Sequence, residues 1–238
     1  MLTLQHEIDA LYAEASKQIP ASVLAELKAS IDEMKRTGIA ERALRVGALA
    51  PAFTLPNAVE KPISLTDLLQ QGPLIISFYR GIWCPSCNLE LRAYQRILGE
   101  ICAAGGDLIA ISPQTPDSSL STAEKNELQF EVLSDKQNRL AREFGIAYPI
   151  PDIVKRINTQ FGVDIAALNG DPGSDGEHLP ISATYVVDQD RRIRLAEVNP
   201  DWHVRMEPAT ALAAVREIVT RRKQQELADE IMGELSDG

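Results

Sequence analysis

The hydrophobic pattern divides the chain into an N-terminal helical segment and a longer part in which strands alternate with helices. Hydrophobic residues recur at helical spacing over residues 4–19, stop at Pro20 and resume over residues 23–34. We therefore predict a helical arm over residues 1–45, with a linker at Gly47–Pro51. An arm of this kind indicates packing or a dimer contact, and nothing in its pattern suggests chemistry.

Short apolar runs after the arm predict buried strands separated by amphipathic helices. The predicted strands are 52–55, 73–79, 107–112, 130–133, 183–187 and 192–198, and the predicted helices are 85–103, 118–128, 137–144 and 208–235. The run at 73–79 is apolar on both faces, as in the centre of a sheet that is covered on two sides. Residues 146–180, with a Gly/Asp-rich run at 169–176, predict an insertion that contains at most two short helices.

The order of these elements predicts the fold class. A β-α-β arrangement comes first, and a hairpin followed by a helix closes the chain, which favours a mixed sheet with helices on both faces. We therefore expect an α/β, thioredoxin-like domain with a mixed central sheet over residues 46–238, preceded by the helical arm.

Composition and charge exclude several classes of partner. The chain has 238 residues, 45% of them hydrophobic, which is enough for a substantial core. Its net charge of −10 disfavours binding to nucleic acid and to anionic lipid. No apolar run approaches the roughly 20 residues that span a bilayer, and the N-terminus lacks the pattern of a signal peptide. We therefore expect a cytoplasmic protein that binds neither nucleic acid nor membrane.

Cys84 and Cys87 lie where the strand at 73–79 gives way to the predicted helix. The first turn of a helix has unpaired N–H groups and the positive end of the helix dipole, so a thiolate there is stabilised. Pro85 suits the first helical position, where its missing N–H leaves no hydrogen bond unmade. Arg80 adds positive charge, and Cys87, one turn further on, is close enough to attack an oxidised Cys84.

Other uses of a Cys-x-x-Cys motif fit this chain less well. A structural zinc site needs four ligands, and the remaining candidates are Cys102 and three scattered histidines. Attachment of haem requires a histidine after the second cysteine, where this chain has Asn88. Two inert core cysteines are the minor alternative, and Cys102, beside Ile101, is itself expected in the core. We expect no metal and no other cofactor, because sulfur carries the electrons.

A few aromatic and basic residues are weaker candidates. Trp83 either shapes the surroundings of the thiol or packs at the rim of the site. Residues 201–205 (Asp-Trp-His-Val-Arg) favour a turn with a solvated histidine over a lid or an acid–base group near the sulfurs. His178 is expected to be exposed in the Gly/Asp-rich loop.

Several segments around the cysteine pair follow the pattern of a known family. Residues 83–87 (Trp-Cys-Pro-Ser-Cys) resemble the redox turn of thioredoxin-fold proteins. The segments that resemble the peroxiredoxin superfamily, of the alkyl hydroperoxide reductase and thiol-specific antioxidant type, are 46–56, 132–146 and 183–188. Together with 78–92 and 201–208, they look like a peroxiredoxin-like branch with a Cys-x-x-Cys motif. The resemblance covers about residues 46–220.

The resemblance implies a thioredoxin fold and an antioxidant enzyme. In that interpretation Cys84 is the peroxidatic cysteine that attacks a hydroperoxide, and Cys87 resolves the intermediate to a disulfide. A thioredoxin- or glutathione-type reductant would then restore both thiols. A thiol–disulfide oxidoreductase that acts on protein disulfides and a non-catalytic redox-sensing protein remain alternatives, and a homodimer is an open possibility.

The chain departs from the family pattern at three positions. Peroxiredoxins typically carry Pro-x-x-x-Thr/Ser-x-x-Cys, and here Ser77 and Gly81 stand at the first two of these positions. Ser182 stands where a late-strand arginine, or the cis-proline of thioredoxins, is expected. Arg80 or Arg205 could replace that arginine, and Pro180 could supply the proline. These departures weigh against peroxide reduction more than against disulfide chemistry.

Overall fold

The computed structural model describes residues 3–170 and 177–236. Its helices are α1 (Leu4–Ser16), α2 (Ala21–Arg36), α3 (Ile39–Arg42), α4 (Leu65–Gln71), α5 (Pro85–Ala103), α6 (Pro116–Lys125), α7 (Arg139–Glu143), α8 (Asp152–Gln160), α9 (Ile165–Leu168) and α10 (Pro208–Ser236). Its strands are β1 (Thr54–Pro56), β2 (Pro62–Ser64), β3 (Leu74–Phe78), β4 (Asp107–Ser112), β5 (Glu131–Ser134), β6 (Ala147–Pro149), β7 (His178–Pro180), β8 (Ser182–Val187) and β9 (Ile193–Asn199). A short 3₁₀ turn, Lys136–Asn138, precedes α7.

A five-stranded mixed sheet forms the centre of the molecule, in the order β5-β4-β3-β8-β9. Strands β3, β4 and β5 run parallel to one another, whereas β8 is antiparallel to β3 and β9 is antiparallel to β8. Every residue of β3 is buried, as its continuous apolar run predicts. The sheet order and the helices around it confirm the predicted α/β, thioredoxin-like fold.

The two faces of the sheet carry separate hydrophobic clusters because successive side chains of a strand point in opposite directions. Leu74, Ile76 and Phe78 of β3 belong to one cluster, which also receives Ile31 from α2. Ile75 belongs to the other cluster, which is built largely with α5 and α10. Helices therefore cover both faces, and the end of β3 lies at the centre of the molecule.

The segment 146–180, predicted as an insertion, contains more secondary structure than its sequence predicts. Besides α8 and α9 it contains the antiparallel pair β6–β7, in which Ala147 pairs with Pro180. Three-residue strands that contain proline are too short to give a period-2 signal, which explains why they were missed. Of the β1–β2 pair, β1 was predicted as a strand at 52–55 and β2 was missed, and the α4 helix was not predicted. Residues 171–176 of the Gly/Asp-rich run lie outside the described part of the chain.

The exposure of Cys102 contradicts the prediction that this residue lies in the core. It is exposed near the end of α5, although its neighbour Ile101 is fully buried. Successive residues of a helix are about 100° apart around its axis, so adjacency to a core residue does not place a side chain on the same face.

The N-terminal arm is attached to the domain at several points. In α1, Leu4 and Ile8 pack against Ala93 of α5. The backbone N–H groups of Leu4 and Gln5 donate to the two carboxylate oxygens of Glu207, each at 2.9 Å. The division into an arm over 1–45 and a domain over 46–238 stays a prediction.

In the described part of the chain, no helix has both the length and the apolar character that crossing a membrane requires.

Gly72 provides a test of the packing that leads into β3. Its φ of 153° favours glycine, and a Cβ there would lie 2.0 Å from the carbonyl oxygen of Gly105. We predict that Gly72→Ala lowers the free energy of unfolding by roughly 2–4 kcal/mol, because backbone must move to relieve the overlap. Urea unfolding followed by circular dichroism measures this change.

Gly99→Ala is the matched control, since Gly99 is exposed within α5 and a Cβ there meets nothing within 4 Å. This variant is expected to be stabilised by up to about 1 kcal/mol. Equal unfolding midpoints for the two variants would contradict the prediction.

Candidate active site

The two cysteines lie at the junction between the central strand and α5. Cys84 is the N-cap residue of α5, with φ −89° and ψ 110°, and Pro85 begins the helix. Both sulfur-bearing side chains, Cys84 and Cys87, are fully buried and are free thiols. Trp83 is half-buried beside them. The strand-to-helix junction at this position is the one that the sequence predicts.

Side chains from neighbouring elements hold the loop that leads to Cys84. The N–H of Ile82 donates to Oε1 of Gln114 at 2.8 Å. Nδ2 of Asn88 donates to the carbonyl oxygens of Ile82 at 2.7 Å and of Cys84 at 3.1 Å. Asn126 in turn donates to Oδ1 of Asn88 at 2.9 Å. The backbone on both sides of Cys84 is therefore fixed by buried amides that sequence analysis did not single out.

The geometry explains why this chain has Gly81 where the family pattern has threonine or serine. Gly81 has φ 147°, and a Cβ there would lie 2.6 Å from Nε1 of Trp83. A larger residue at this position would therefore require both a strained backbone and a displaced indole ring. Ser77, where the pattern has proline, lies inside β3 and pairs with Ala110 on one side and Thr184 on the other.

Arg80 is the closest charged group to Cys84. Its Nη2 lies 3.2 Å from Cys84 Sγ, and the residue is only 4% exposed. The guanidinium carbon lies 5.1 Å from the ring centre of Trp83 and 4.8 Å from that of Trp202. Both distances are within the range of cation–π attraction. The two indoles therefore help to hold a buried cation against the sulfur.

Arg205 approaches the second sulfur. Its Nη2 lies 3.7 Å from Cys87 Sγ, and its Nε donates to Oε2 of Glu90 at 2.8 Å. Its Nη1 also donates to the carbonyl oxygen of Trp202 at 2.8 Å. Trp202, Arg205 and Glu90 are all buried.

The prediction of a turn with a solvated histidine at residues 201–205 describes His203 but not its neighbours. His203 is partly exposed and is paired with Asp201 at 2.9 Å, but Trp202 and Arg205 turn inward. The segment after β9 lies against the N-terminal part of α5, a tertiary contact that local sequence cannot predict.

The arm also reaches the site, which corrects the expectation that it has no chemistry. Ser86 Oγ lies 3.6 Å from Cys84 Sγ and donates to the carbonyl oxygen of Trp202 at 3.0 Å. The hydroxyl of Tyr12, in α1, lies 3.2 Å from Ser86 Oγ. No signal in the sequence connects Tyr12 with Ser86, because 74 positions separate them.

The surroundings drive the pKa values of the two thiols apart. Burial acts to raise the pKa of Cys84, but the hydrogen bond from Cys87 and the charges of Arg80 and Arg205 outweigh it, so the pKa lies well below its ordinary value. Burial, the same hydrogen bond and the negative charge of Cys84 hold the pKa of Cys87 well above its ordinary value. The two shifts favour the thiolate form of Cys84, which accepts a hydrogen bond from the Cys87 thiol.

Pro180 does not supply the proline that the thioredoxin pattern calls for. It lies in β7, and every peptide bond in the described part of the chain is trans. Ser182 is buried at the start of β8, where it pairs with Asn199 of β9.

A largely apolar cavity of about 590 Å³ lies beside the cysteine pair and is lined by residues next to Cys84 in the chain. Arg80, Trp83 and Pro85 form the wall nearest to the sulfurs. The other walls come from the arm helices α1 and α2, from α8 of the insertion and from residues 201–203. A small molecule in this cavity would meet Arg80 before the buried Cys84.

A thioredoxin-like sheet whose central strand leads into a Cys-x-x-Cys helix is the arrangement of thioredoxin-fold redox proteins. Comparison with protein families agrees with this class. The AhpC/TSA family matches residues 46–196, which is more than half of the chain. The chain therefore belongs to the AhpC/TSA family.

Curated proteins similar to this chain include two peroxiredoxins. Peroxiredoxin Bcp of Escherichia coli strain K12 is 32% identical over 103 residues, which cover 43% of this chain and 65% of that protein. Chloroplastic peroxiredoxin Q of Gentiana triflora is 27% identical over 161 residues, which cover 66% of this chain and 62% of that protein. The matched part of the chain spans slightly less than two thirds of each relative.

A solved structure supports the fold. The crystal structure of peroxidoxin BcpB from Mycobacterium tuberculosis superposes with a TM-score of 0.57 and 23% sequence identity, over 74% of this chain and 98% of that chain. At this level of identity the similarity shows a shared fold.

Arg80 allows a direct test of the electrostatics at Cys84. We predict that Arg80→Met raises the pKa of Cys84 by at least about 1, because a cation at hydrogen-bonding distance favours the thiolate and its loss favours the neutral thiol. The ultraviolet absorbance of the thiolate, followed against pH in a Cys102→Ser background, measures the change. Cys102 is replaced because it is exposed and would add its own signal.

Arg96→Met is the control. Arg96 lies on α5, the helix that carries Cys87, and pairs with Glu7 at the surface. The pKa of Cys84 is expected to stay unchanged in this variant. An Arg80→Met titration that overlays the parent would rule out Arg80 as the source of the lowered pKa.

Proposed function

We propose that this protein is a thiol peroxidase that reduces hydroperoxides through Cys84, with Cys87 as the resolving cysteine. The observation that carries the proposal is Arg80 Nη2 at 3.2 Å from the buried Cys84 Sγ. Membership of the AhpC/TSA family supports the same chemistry. Arg80 takes the place of the late-strand arginine that this chain lacks.

The proposed reaction begins with attack of the Cys84 thiolate on the terminal oxygen of a hydroperoxide. The S–O bond forms as the O–O bond breaks, and the departing oxygen takes a proton to leave as an alcohol or water. Arg80 faces both the thiolate and the oxygen that gains negative charge, so its cation stabilises the transition state. Cys84 is then a sulfenic acid.

Cys87 completes the oxidative half of the reaction. Its thiol condenses with the Cys84 sulfenic acid, which forms the disulfide and releases water. A thioredoxin- or glutathione-type dithiol system then returns two electrons and two protons to the pair by thiol–disulfide exchange. Reduced thiols and such donors coexist in the cytoplasm, so a cytoplasmic location is part of the proposal.

Burial of the cysteines favours a small oxidant over a protein disulfide. Cys84 and Cys87 are both 0% exposed in the free-thiol form. A hydroperoxide can enter the cavity beside Arg80, whereas a disulfide on another protein would first have to displace the arm. The burial of the free thiols does not apply to the reductant, because the reductant reacts with the disulfide form of Cys84 and Cys87.

Stopped-flow oxidation by hydrogen peroxide tests the proposal. We expect the Cys102→Ser protein to react far faster than free cysteine at the same pH, with a change in the fluorescence of the adjacent Trp83 and Trp202. Cys84→Ser should abolish the fast phase, and Cys87→Ser should leave a sulfenic acid that a dimedone probe traps. A rate equal to that of free cysteine, together with rapid reduction of insulin disulfides, would replace this function with disulfide exchange.

The volume of the cavity leads to a separate prediction about the size of the hydroperoxide that the protein reduces. Leu27 of α2 lines the cavity, so Leu27→Trp fills part of it. We expect this variant to lose at least about tenfold in kcat/KM for cumene hydroperoxide and much less for hydrogen peroxide, because only the larger substrate needs the volume. Leu120→Trp, on the exposed side of α6, is the control. Equal losses for both peroxides would mean that the cavity is not the route to Cys84.

A further inference from the structure

The position of Tyr12 is fixed from several directions. The helix α1 that carries it is tied to the segment after β9, where Nε2 of Gln5 donates to the carbonyl oxygen of His203 at 2.8 Å. The N–H of Arg205 donates back to Oε1 of Gln5 at 3.2 Å. The ring of Tyr12 packs edge-on against His203, with ring centres 3.9 Å apart. The Tyr12 hydroxyl is therefore held beside Ser86 by the docked arm.

The hydrogen bonds around Ser86 have only one consistent direction. A serine hydroxyl has a single proton and two lone pairs. That proton is directed to the carbonyl oxygen of Trp202, at 3.0 Å, whether it is donated to that oxygen alone or shared with Cys84 Sγ, at 3.6 Å. In both cases Tyr12, at 3.2 Å, must be the donor and Ser86 Oγ the acceptor.

We propose that Tyr12 of the N-terminal arm is a positioning residue for the reactive cysteine: it holds Ser86 as a hydrogen-bond donor whose single proton is shared between the carbonyl oxygen of Trp202 and the Cys84 thiolate. The Tyr12 hydroxyl occupies a lone pair of Ser86 and polarises the Ser86 O–H bond. Without it, the Ser86 hydroxyl is a weaker donor to the sulfur and is freer to turn so that it accepts a hydrogen bond from a neutral Cys84 thiol. Donation to the sulfur favours the thiolate, whereas acceptance from the sulfur favours the thiol.

Tyr12 keeps its proton under the conditions in which the enzyme would work. Burial, together with the negative charge of Cys84, raises the pKa of Tyr12 to about 12. The other ionisable groups that face the pair are Cys87, Arg80, Arg205 and His203. The two arginines stay charged, so loss of the Tyr12 hydroxyl leaves the main electrostatic support of the thiolate in place.

Tyr12→Phe is the test, in the Cys102→Ser background. It keeps the ring that packs on His203 and removes only the hydroxyl. We expect the pKa of Cys84, followed by thiolate absorbance, to rise by about 0.5 to 1. Ser86→Ala should also raise it, and adding Tyr12→Phe to Ser86→Ala should give no further rise, because Tyr12 acts through Ser86.

Tyr185→Phe is the matched control. Its hydroxyl is buried without a hydrogen-bond partner among the described residues, in the cluster on the sheet face opposite the cysteines. The pKa of Cys84 should not change in this variant. Additive effects of Tyr12→Phe and Ser86→Ala, or an unchanged pKa in Tyr12→Phe, would overturn the proposal, and urea unfolding verifies that each variant is folded.

A kinetic measurement extends the test and rests on the proposed function. Tyr12→Phe should lower kcat/KM for hydrogen peroxide at acidic pH and recover toward the parent value as the pH rises above the new pKa of Cys84. A loss that is the same at every pH would indicate a merely structural role. If no peroxidase activity exists in any variant, the proposed function fails, while the thiolate titration still decides the role of Tyr12.

Discussion

Charge balance among buried side chains is the constraint on which the site depends. Arg80 and Arg205 are both almost fully buried, and a buried cation is costly unless an anion faces it. Glu90 is that anion for Arg205, at 2.8 Å, and the sulfur of Cys84 faces Arg80 at 3.2 Å. Two cations thus face one carboxylate and the sulfur of Cys84, and they favour its thiolate form. The low pKa of Cys84 and the burial of Arg80 are two consequences of the same contact.

The chain meets this constraint with residues from positions other than those of the family pattern. The cation beside Cys84 comes from the loop after β3, not from the late strand, where Ser182 stands. Trp83 and Trp202 hold that cation, and Trp83 occupies space that a side chain at position 81 would need. The glycine at 81 and the arginine at 80 are therefore linked by packing. A single substitution back to the family residue at 81 would meet the indole ring of Trp83.

Part of the surroundings of the site comes from the chain that precedes the family match. The family match begins at residue 46, so α1, α2 and Tyr12 lie outside it. The α8 helix lies in the segment 146–180, and α8 and α2 pack together and face the same cavity. Both segments are needed to enclose the approach to Arg80. An N-terminal arm that the hydrophobic pattern identifies only as a packing element is in this way part of the environment of the reactive sulfur.

The sequence by itself determined the central strand, the helix that follows it and the place of Cys84 at their junction. These depend on local rules, such as apolar runs, proline at a helix start and the unpaired N–H groups of a first turn, which act within a few residues. Only the tertiary structure decided that Cys102 is exposed, that Arg205 turns inward to Glu90, and that Tyr12 reaches Ser86. The last two contacts join residues 115 and 74 positions apart, so they exist only once the helices and the sheet have packed.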